Sequence, residues 1–237
     1  MNIGTRKQLF IDDRFFQSSE GIKRCMNPPV QHPEPVLIAD QPWEERGIGA
    51  YNTAFREPDG RFRLWYDALI LSGLPQEGAR RLCYAESSDG IHWEKKVLGL
   101  APFRGSIENN IVAPHLERPS RKGATVYRDK RAPADERYKL WSKFRPTDQQ
   151  IAEGMRSGLW AMYSADGIHW QSYPNQPQPP NQSCDTQNMF FWDEREKLYV
   201  GYTRVRETQS TEEAAAAGKI AYRSIGRITS PDFRIWS

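Results

Sequence analysis

The chain is predicted to be an all-β propeller built of four-stranded antiparallel blades, with about three blades present of a five-bladed ring. Three observations predict it. A turn motif recurs as SSDGIHW (Ser87 to Trp93), SADGIHW (Ser164 to Trp170) and SPDFRIW (Ser230 to Trp236). Ahead of each copy lies an apolar run, a charged turn and an aromatic-rich run: Asn52 to Tyr66, Ala124 to Trp141 and Asn188 to Tyr202. Phe55, Tyr127 and Phe191 mark equivalent points 72 and 64 residues apart. A unit of roughly 65–70 residues therefore repeats, and four antiparallel strands at such a period make a propeller blade.

The elements follow in order. Gln8 to Phe16 (QLFIDDRFF) reads as a strand before the first blade, followed by a linker carrying Pro28, Pro29, Pro33 and Pro35 that runs to residue 48. In the first blade, residues 49–97, strands are expected at Ala50–Arg56, Phe62–Ala68, Arg81–Glu86 and His92–Lys96. Asp59-Gly60 and Asp89-Gly90 supply the hairpin turns. The second and third blades take residues 123–173 and 186–237. Helix is scarce: Ser210 to Glu213 resembles a capping box before Ala214 to Ala217, and Thr147 to Gln150 is a weaker one. Both fall in loops.

Strand direction then assigns two faces. The first strand of each blade descends from the top, so the Asp-Gly turns lie at the bottom. The long connections, 69–79, 97–123, 145–156, 171–186 and 206–218, lie at the top. Long loops on a rigid scaffold are where binding sites are built. Three blades do not close a ring, so the chain reads as the N-terminal part of a longer propeller or as a truncated product. Open blade flanks are expected at both ends, favouring self-association.

Composition narrows the function classes. Lys and Arg number 33 against 30 Asp and Glu, a net charge of +3 spread without a basic stripe, which gives no electrostatic case for nucleic acid. No apolar run approaches the roughly 20 residues of a membrane span, and the start MNIGTRKQLFIDD has no apolar signal core. Neither a membrane nor a nucleic-acid partner is expected. Cys25, Cys83 and Cys184 are scattered without metal-ligand spacing and read as free thiols. Eight Trp, ten Tyr and ten Phe suit a β-rich or carbohydrate-handling protein.

The motifs YAESSDGIHW (Tyr84 to Trp93), NNIV (Asn109 to Val112) and DTQNMFFWD (Asp185 to Asp193) resemble those of five-bladed propeller proteins of the glycoside hydrolase family 32 and 43 type, in an uncharacterised bacterial branch. The resemblance runs from about Leu9 to Trp236. It implies a glycosidase acting on a plant or algal glycan through carboxylates at the top of the pore, with carbohydrate as partner and no cofactor. A Ca²⁺ ion in the pore is compatible with such propellers, but nothing in the sequence demands one. The first inner strand here begins Gly49-Ala-Tyr-Asn52-Thr, without the Asp that members of those families carry, so a non-catalytic carbohydrate-binding or interaction propeller is the alternative function. Arg128-Asp129-Lys130 looks like the Arg-Asp-Pro motif of family 32 but falls at the bottom of its strand.

Glycoside hydrolysis needs two carboxyl groups, about 5–5.5 Å apart for retention or 6.5–9.5 Å for inversion. Asp185, just before the third inner strand, is the first candidate, with the capping of loop amides as its plain alternative. Glu108, ahead of Asn109-Asn110, is the second, with a solvated loop acid as its alternative. Asn52, Asn110, Asn188, Gln187 and His115 are candidate sugar contacts, though turn-forming Asn is an equally simple account. Glu86 and Asp67 end strands within the first blade and could project toward the rim, with solvent-facing charges as the plainer account. His92, His169, Asp89 and Asp166 recur with the repeat and read as structural. No metal site is expected.

Overall fold

A computed structural model describes residues 4, 9–70, 80–112, 122–144, 148–154, 158–176, 187–207 and 222–237. The chain divides into two units, Met1–Pro35 and Val36–Ser237. In the first unit residues 9–16 form no strand. Instead Phe10 stacks on Phe16 (centroids 5.5 Å apart), while Asp12 bonds Arg14 and Asp13 pairs with Arg24. Those short-range bonds bend the segment, which corrects the expected N-terminal strand. Residues 36–48, read as linker, belong with the second unit.

The described residues form eleven strands: β1 (Gly47–Ile48), β2 (Thr53–Arg56), β3 (Phe62–Leu69), β4 (Arg80–Ser87), β5 (Lys122–Arg128), β6 (Tyr138–Phe144), β7 (Gly158–Ser164), β8 (Gln171–Ser172), β9 (Met189–Asp193), β10 (Leu198–Glu207) and β11 (Tyr222–Ser230). They form three antiparallel sheets, one per repeat. The one α-helix among the described residues, α1 (Asp148–Ala152), sits in the loop between β6 and β7, and Pro42–Glu44 and Ala134–Glu136 are short 3-10 turns. The second capping-box segment, Ser210 to Ala217, lies outside the described residues.

Blade 1 has an interrupted inner strand. Both β1 and β2 pair with the same edge of β3, Ile48 opposite Ala68 and Thr53 opposite Trp65. Gly49 to Asn52 bulge between them. The outer strand is also split. Glu94 bridges Glu86, the chain leaves as an excursion over residues 95–109, and Ile111 returns opposite Cys83. Leu98 N–H bonds the Asn109 carbonyl to close the neck of that excursion. The expected outer strand at His92–Lys96 thus reduces to one bridge, and the blade runs on to residue 112. Blade 2 is the regular order β5-β6-β7-β8. In blade 3, β9-β10-β11 is followed by Ser237, which exchanges two backbone hydrogen bonds with Thr229.

The three turns share a core of hydrogen bonds. Ser87, Ser164 and Ser230 each donate to the Asp two residues on (Asp89, Asp166, Asp232), at 2.9–3.1 Å. Each Asp in turn accepts two backbone N–H groups, as from Ile91 and His92 or Arg234 and Ile235. His92 and His169 close onto Asp89 and Asp166 at 2.7 Å. The residue after each Asp is left-handed, with φ of +79° at Gly90, +79° at Gly167 and +69° at Phe233. Glycine suits that region, since it has no Cβ to clash. Phe233 occupies it because its ring is fully buried among Trp141, Phe190, Tyr199 and Trp236.

Three apolar cores lie on the faces of the blades. Trp65, Leu82 and Tyr84 of blade 1 meet Val126, Leu140, Met162 and Trp170 of blade 2. Trp141, Leu159 and Ala161 of blade 2 meet Phe190, Tyr199 and Phe233 of blade 3. The remaining face of blade 1 (Leu64, Tyr66, Ala68, Cys83, Ala85) is covered by the chain's own Trp43, Ala101 and Phe103. The flank expected to be open at that end is therefore closed, because residues 36–48 and the excursion fold back over it.

Candidate functional site

The inner strands converge at the end opposite the Ser-x-Asp turns, and their tops are tied to one another. Thr53 Oγ1 accepts the Val126 N–H (3.3 Å), joining blade 1 to blade 2. Thr125 Oγ1 donates to the Asn188 carbonyl (2.7 Å), joining blade 2 to blade 3. Gln187 Nε2 then spans all three blades, reaching the carbonyls of Asn52 (3.3 Å) and Ala124 (3.4 Å).

Asn52 and Asn188 play matching parts there. Asn52 Oδ1 accepts the Asp67 N–H and its Nδ2 donates to the Gly49 carbonyl, holding the bulge of the inner strand. Asn188, buried, accepts the Arg204 N–H in the same way. Both are strand clamps facing the pore end.

Asp67 corrects the reading of it as a solvent-facing charge. It is buried, and its Oδ2 accepts Arg80 Nη1 (3.1 Å) and the Gly123 N–H (3.3 Å). The Arg80 guanidinium lies 5.8 Å from the centre of the Tyr51 ring. The sequence signal was an acid inside the apolar run RLWYDAL, which a buried partner had to neutralise. The top rim thus offers an aromatic ring, a cation, an acid and amides, a set that can hydrogen-bond and stack on a polar ligand.

Glu108 and Asn110 do not join that rim. Residues 110–112 run along the outer edge of β4, three strands from the pore. Asn110 is fully buried, accepting Trp43 Nε1–H (2.8 Å) and donating to the Tyr66 hydroxyl and the Tyr84 carbonyl. Glu108 is exposed beside a cavity of about 390 Å³ lined by Trp43, Phe103, Arg104 and Asn109. The expected clustering of Glu108 and Asn110 with Asn188 is thereby corrected: the 95–109 excursion carries both outward. Asp185 and His115 lie outside the described residues.

Asp129 sits at the opposite end, where it accepts the Tyr199 hydroxyl of the next blade. Glu57 does the same one blade earlier with Tyr138 (2.6 Å), supported by ion pairs to Arg63 and Arg128. Burial first, then the partner carboxylate, pushes both tyrosines upward, so they remain donors. These acids fasten blades together and are remote from the rim. His92 and His169 are likewise part of the bottom turns. Among the described residues no group of His, Cys, Asp and Glu is arranged to hold a metal ion, and no helix is long and apolar enough to cross a membrane.

Comparison with known proteins extends the architecture. No family model matches the chain, and no curated protein matches it. Solved structures do. The fructofuranosidase of Schwanniomyces occidentalis, solved with fructosylnystose, matches with a TM-score of 0.52 and 14% identity over 80% of this chain and 33% of its own. A Bacteroides thetaiotaomicron protein proposed to be a glycosidase gives 0.51 and 14% over 86% and 57%. A Bacteroides ovatus protein proposed to be a glycoside hydrolase gives 0.50 and 15% over 89% and 59%. The chain therefore has the propeller fold of the glycoside hydrolases, and it spans between about a third and three fifths of the length of these neighbours.

Proposed function

We propose that the chain is a carbohydrate-active propeller of the glycoside hydrolase type, with its glycan at the top of the inner strands. The observation that carries this reading is the Gln187 amide, which brings the inner strands of all three blades to one rim with Tyr51, Asp67 and Arg80. The fold it shares with glycoside hydrolases supports the ligand class. Hydrolysis at that rim rests on Asp185, two residues before Gln187, as one carboxylate. Asp67 takes the place of Glu108 as the second acid, because Glu108 lies on the outer edge of blade 1.

A second reading, a carbohydrate-binding propeller without turnover, is favoured by one specific feature. The Asp67 carboxylate is already engaged by Arg80 and an amide, which leaves it poorly suited to carry a proton in a reaction cycle. Chromogenic furanosides and pyranosides, with an array of plant and algal glycans, separate the two readings. Turnover lost in Asp185→Asn supports the enzyme. Array binding that Gln187→Ala weakens, without turnover, supports the binding protein. Neither binding nor turnover with any glycan rejects both.

A further inference from the structure

Groups that hold the blades together recur along the chain, and one charged cluster at the rim does not. Thr53 and Thr125 both tie inner strands, and Glu57 and Asp129 both accept a tyrosine hydroxyl of the next blade. Asn52 and Asn188 match as strand clamps. Asp67 breaks the pattern. It stands two residues beyond Trp65, which faces Thr53, and the positions of equal register in blades 2 and 3 hold Lys143 and Arg204. An acid at this point is therefore no requirement of the blade.

Asp67 holds a guanidinium at the pore end. Arg80 opens β4, and its side chain reaches across β3 to the bulge of the inner strand. The bulge is shaped to receive it. A Cβ on Gly49 would stand 2.8 Å from Arg80 Nη1 and 2.9 Å from Asp67 Cβ, so the close approach needs glycine. The Gly49 N–H bonds the Asp67 carbonyl (2.7 Å) and closes the cradle. Stability alone does not ask for this arrangement, because a buried ion pair can be exchanged for apolar side chains at little cost.

The two charges differ in reach. The Asp67 side chain is 1% exposed and that of Arg80 is 25% exposed, so a ligand at the rim meets the cation. Nη1 is spent on Asp67, while Nε and Nη2 have no acceptor among the described residues. The amides beside it have less to give, since Asn52 and Gln187 direct their N–H groups to backbone carbonyls. A planar guanidinium pairs with a carboxylate through two parallel hydrogen bonds, a geometry that a hydroxyl does not offer. We propose that Arg80, seated by Gly49 and Asp67, sets the specificity of the rim, and that the glycan it selects carries carboxylates, as uronic acids do. This rests on the reading that the rim binds glycan, with or without turnover.

Binding of the 237-residue chain to neutral, uronate-bearing and sulfated plant and algal glycans tests this. Each uronate glycan is also offered after reduction of its carboxyl groups to alcohols, which keeps the sugar and removes the charge. Uronate glycans should bind, and reduction should weaken them about ten- to a hundredfold, the worth of hydrogen bonds to a charged group. Arg80→Gln should bind the native and reduced forms about equally, its preference for the carboxylate gone. If that variant fails to fold by circular dichroism, Arg80→Lys, which keeps the charge without the fork, should retain only part of the preference. The proposal is overturned by selection of neutral or sulfated glycans, by equal binding of native and reduced forms to the wild type, or by a folded Arg80→Gln protein that keeps the preference. Binding to no glycan of any kind overturns the rim reading itself, and this proposal with it.

Discussion

The two flanks of the arc solve one problem in opposite ways. The free face of blade 1 is covered from within, and the cover carries a buried charge. Glu44 accepts the Tyr66 hydroxyl (2.6 Å) and Lys95 Nζ (2.7 Å), while Trp43 bonds Asn110. The free face of blade 3 keeps Met189, Phe191, Tyr202 and Ile225 in water. Where the chain covers a sheet face from within, its covering segment brings polar groups together with their partners. The difference teaches that covering a blade takes a satisfied network as well as apolar area.

The sharpest way to break that comparison is to unpair the cover. Glu44→Ala removes the acceptor of the buried Tyr66 hydroxyl and one of three acceptors of Lys95, which keeps Asp40 and the Ile38 carbonyl, and should cost about 3 kcal/mol in urea unfolding. The next test falls on the seam between blades 1 and 2. A Cβ at Gly167 would meet the Trp65 ring at 2.7 Å, and φ there is +79°. Gly167→Ala should therefore cost about 2–3 kcal/mol. Gly90→Ala, where the nearest ring atoms stand at 3.6 Å, should cost about 1–2 kcal/mol for its φ alone.

Acid sharpens the picture through the turns. Burial opposes ionisation of Asp166, but the N–H groups and ring of His169, with Ile168 N–H and the Ser164 hydroxyl, outweigh it and draw its pKa from 3.8 to about 2. A carboxylate lowered by folding stabilises the fold above its unfolded value and loses that contribution as pH falls through the folded one. The melting temperature should be flat down to about pH 5 and fall between about pH 4 and pH 2, with a shallower acid limb in Asp166→Asn. Smallest of all is the bare flank. Ile225→Asn, on a side chain 80% exposed, should shift stability by no more than about 0.5 kcal/mol in urea unfolding.

The blades were legible because their signals are local. A Ser, an Asp two residues on and a Trp four later enclose one turn, and the bonds made by its Ser hydroxyl and Asp carboxylate span three residues or fewer. Phe233 shows the limit: a bulky residue at a glycine position is intelligible only once four aromatic side chains from two blades surround it. The rim was legible in part. Asn52, Gln187 and Asn188 were found because they flank strand starts, whereas Asp67 was misread, its partners Arg80 and Gly123 lying 13 and 56 residues away. Glu108 and Asn110 were misplaced for a related reason. Nothing in NNIV reveals that it returns to an edge left fifteen residues earlier.

One bond in the seam between blades 1 and 2 bears on how the molecule comes apart. In blades 1 and 3 the motif tryptophan closes its own turn, Trp93 onto the Gly90 carbonyl and Trp236 onto the Phe233 carbonyl. In blade 2 that carbonyl, on Gly167, is taken by Trp65 of the neighbouring blade, and Trp170 Nε1 is left without a partner among the described residues. Blade 2 gives up a short-range closure for a bond spanning 102 residues. The Gly167 carbonyl finds its partner only when blade 1 is in place. Blades 1 and 2 should accordingly open together in hydrogen exchange, whereas the turn of blade 3 is held to blade 2 by packing alone at this position, Phe233 and Trp236 lying on Trp141.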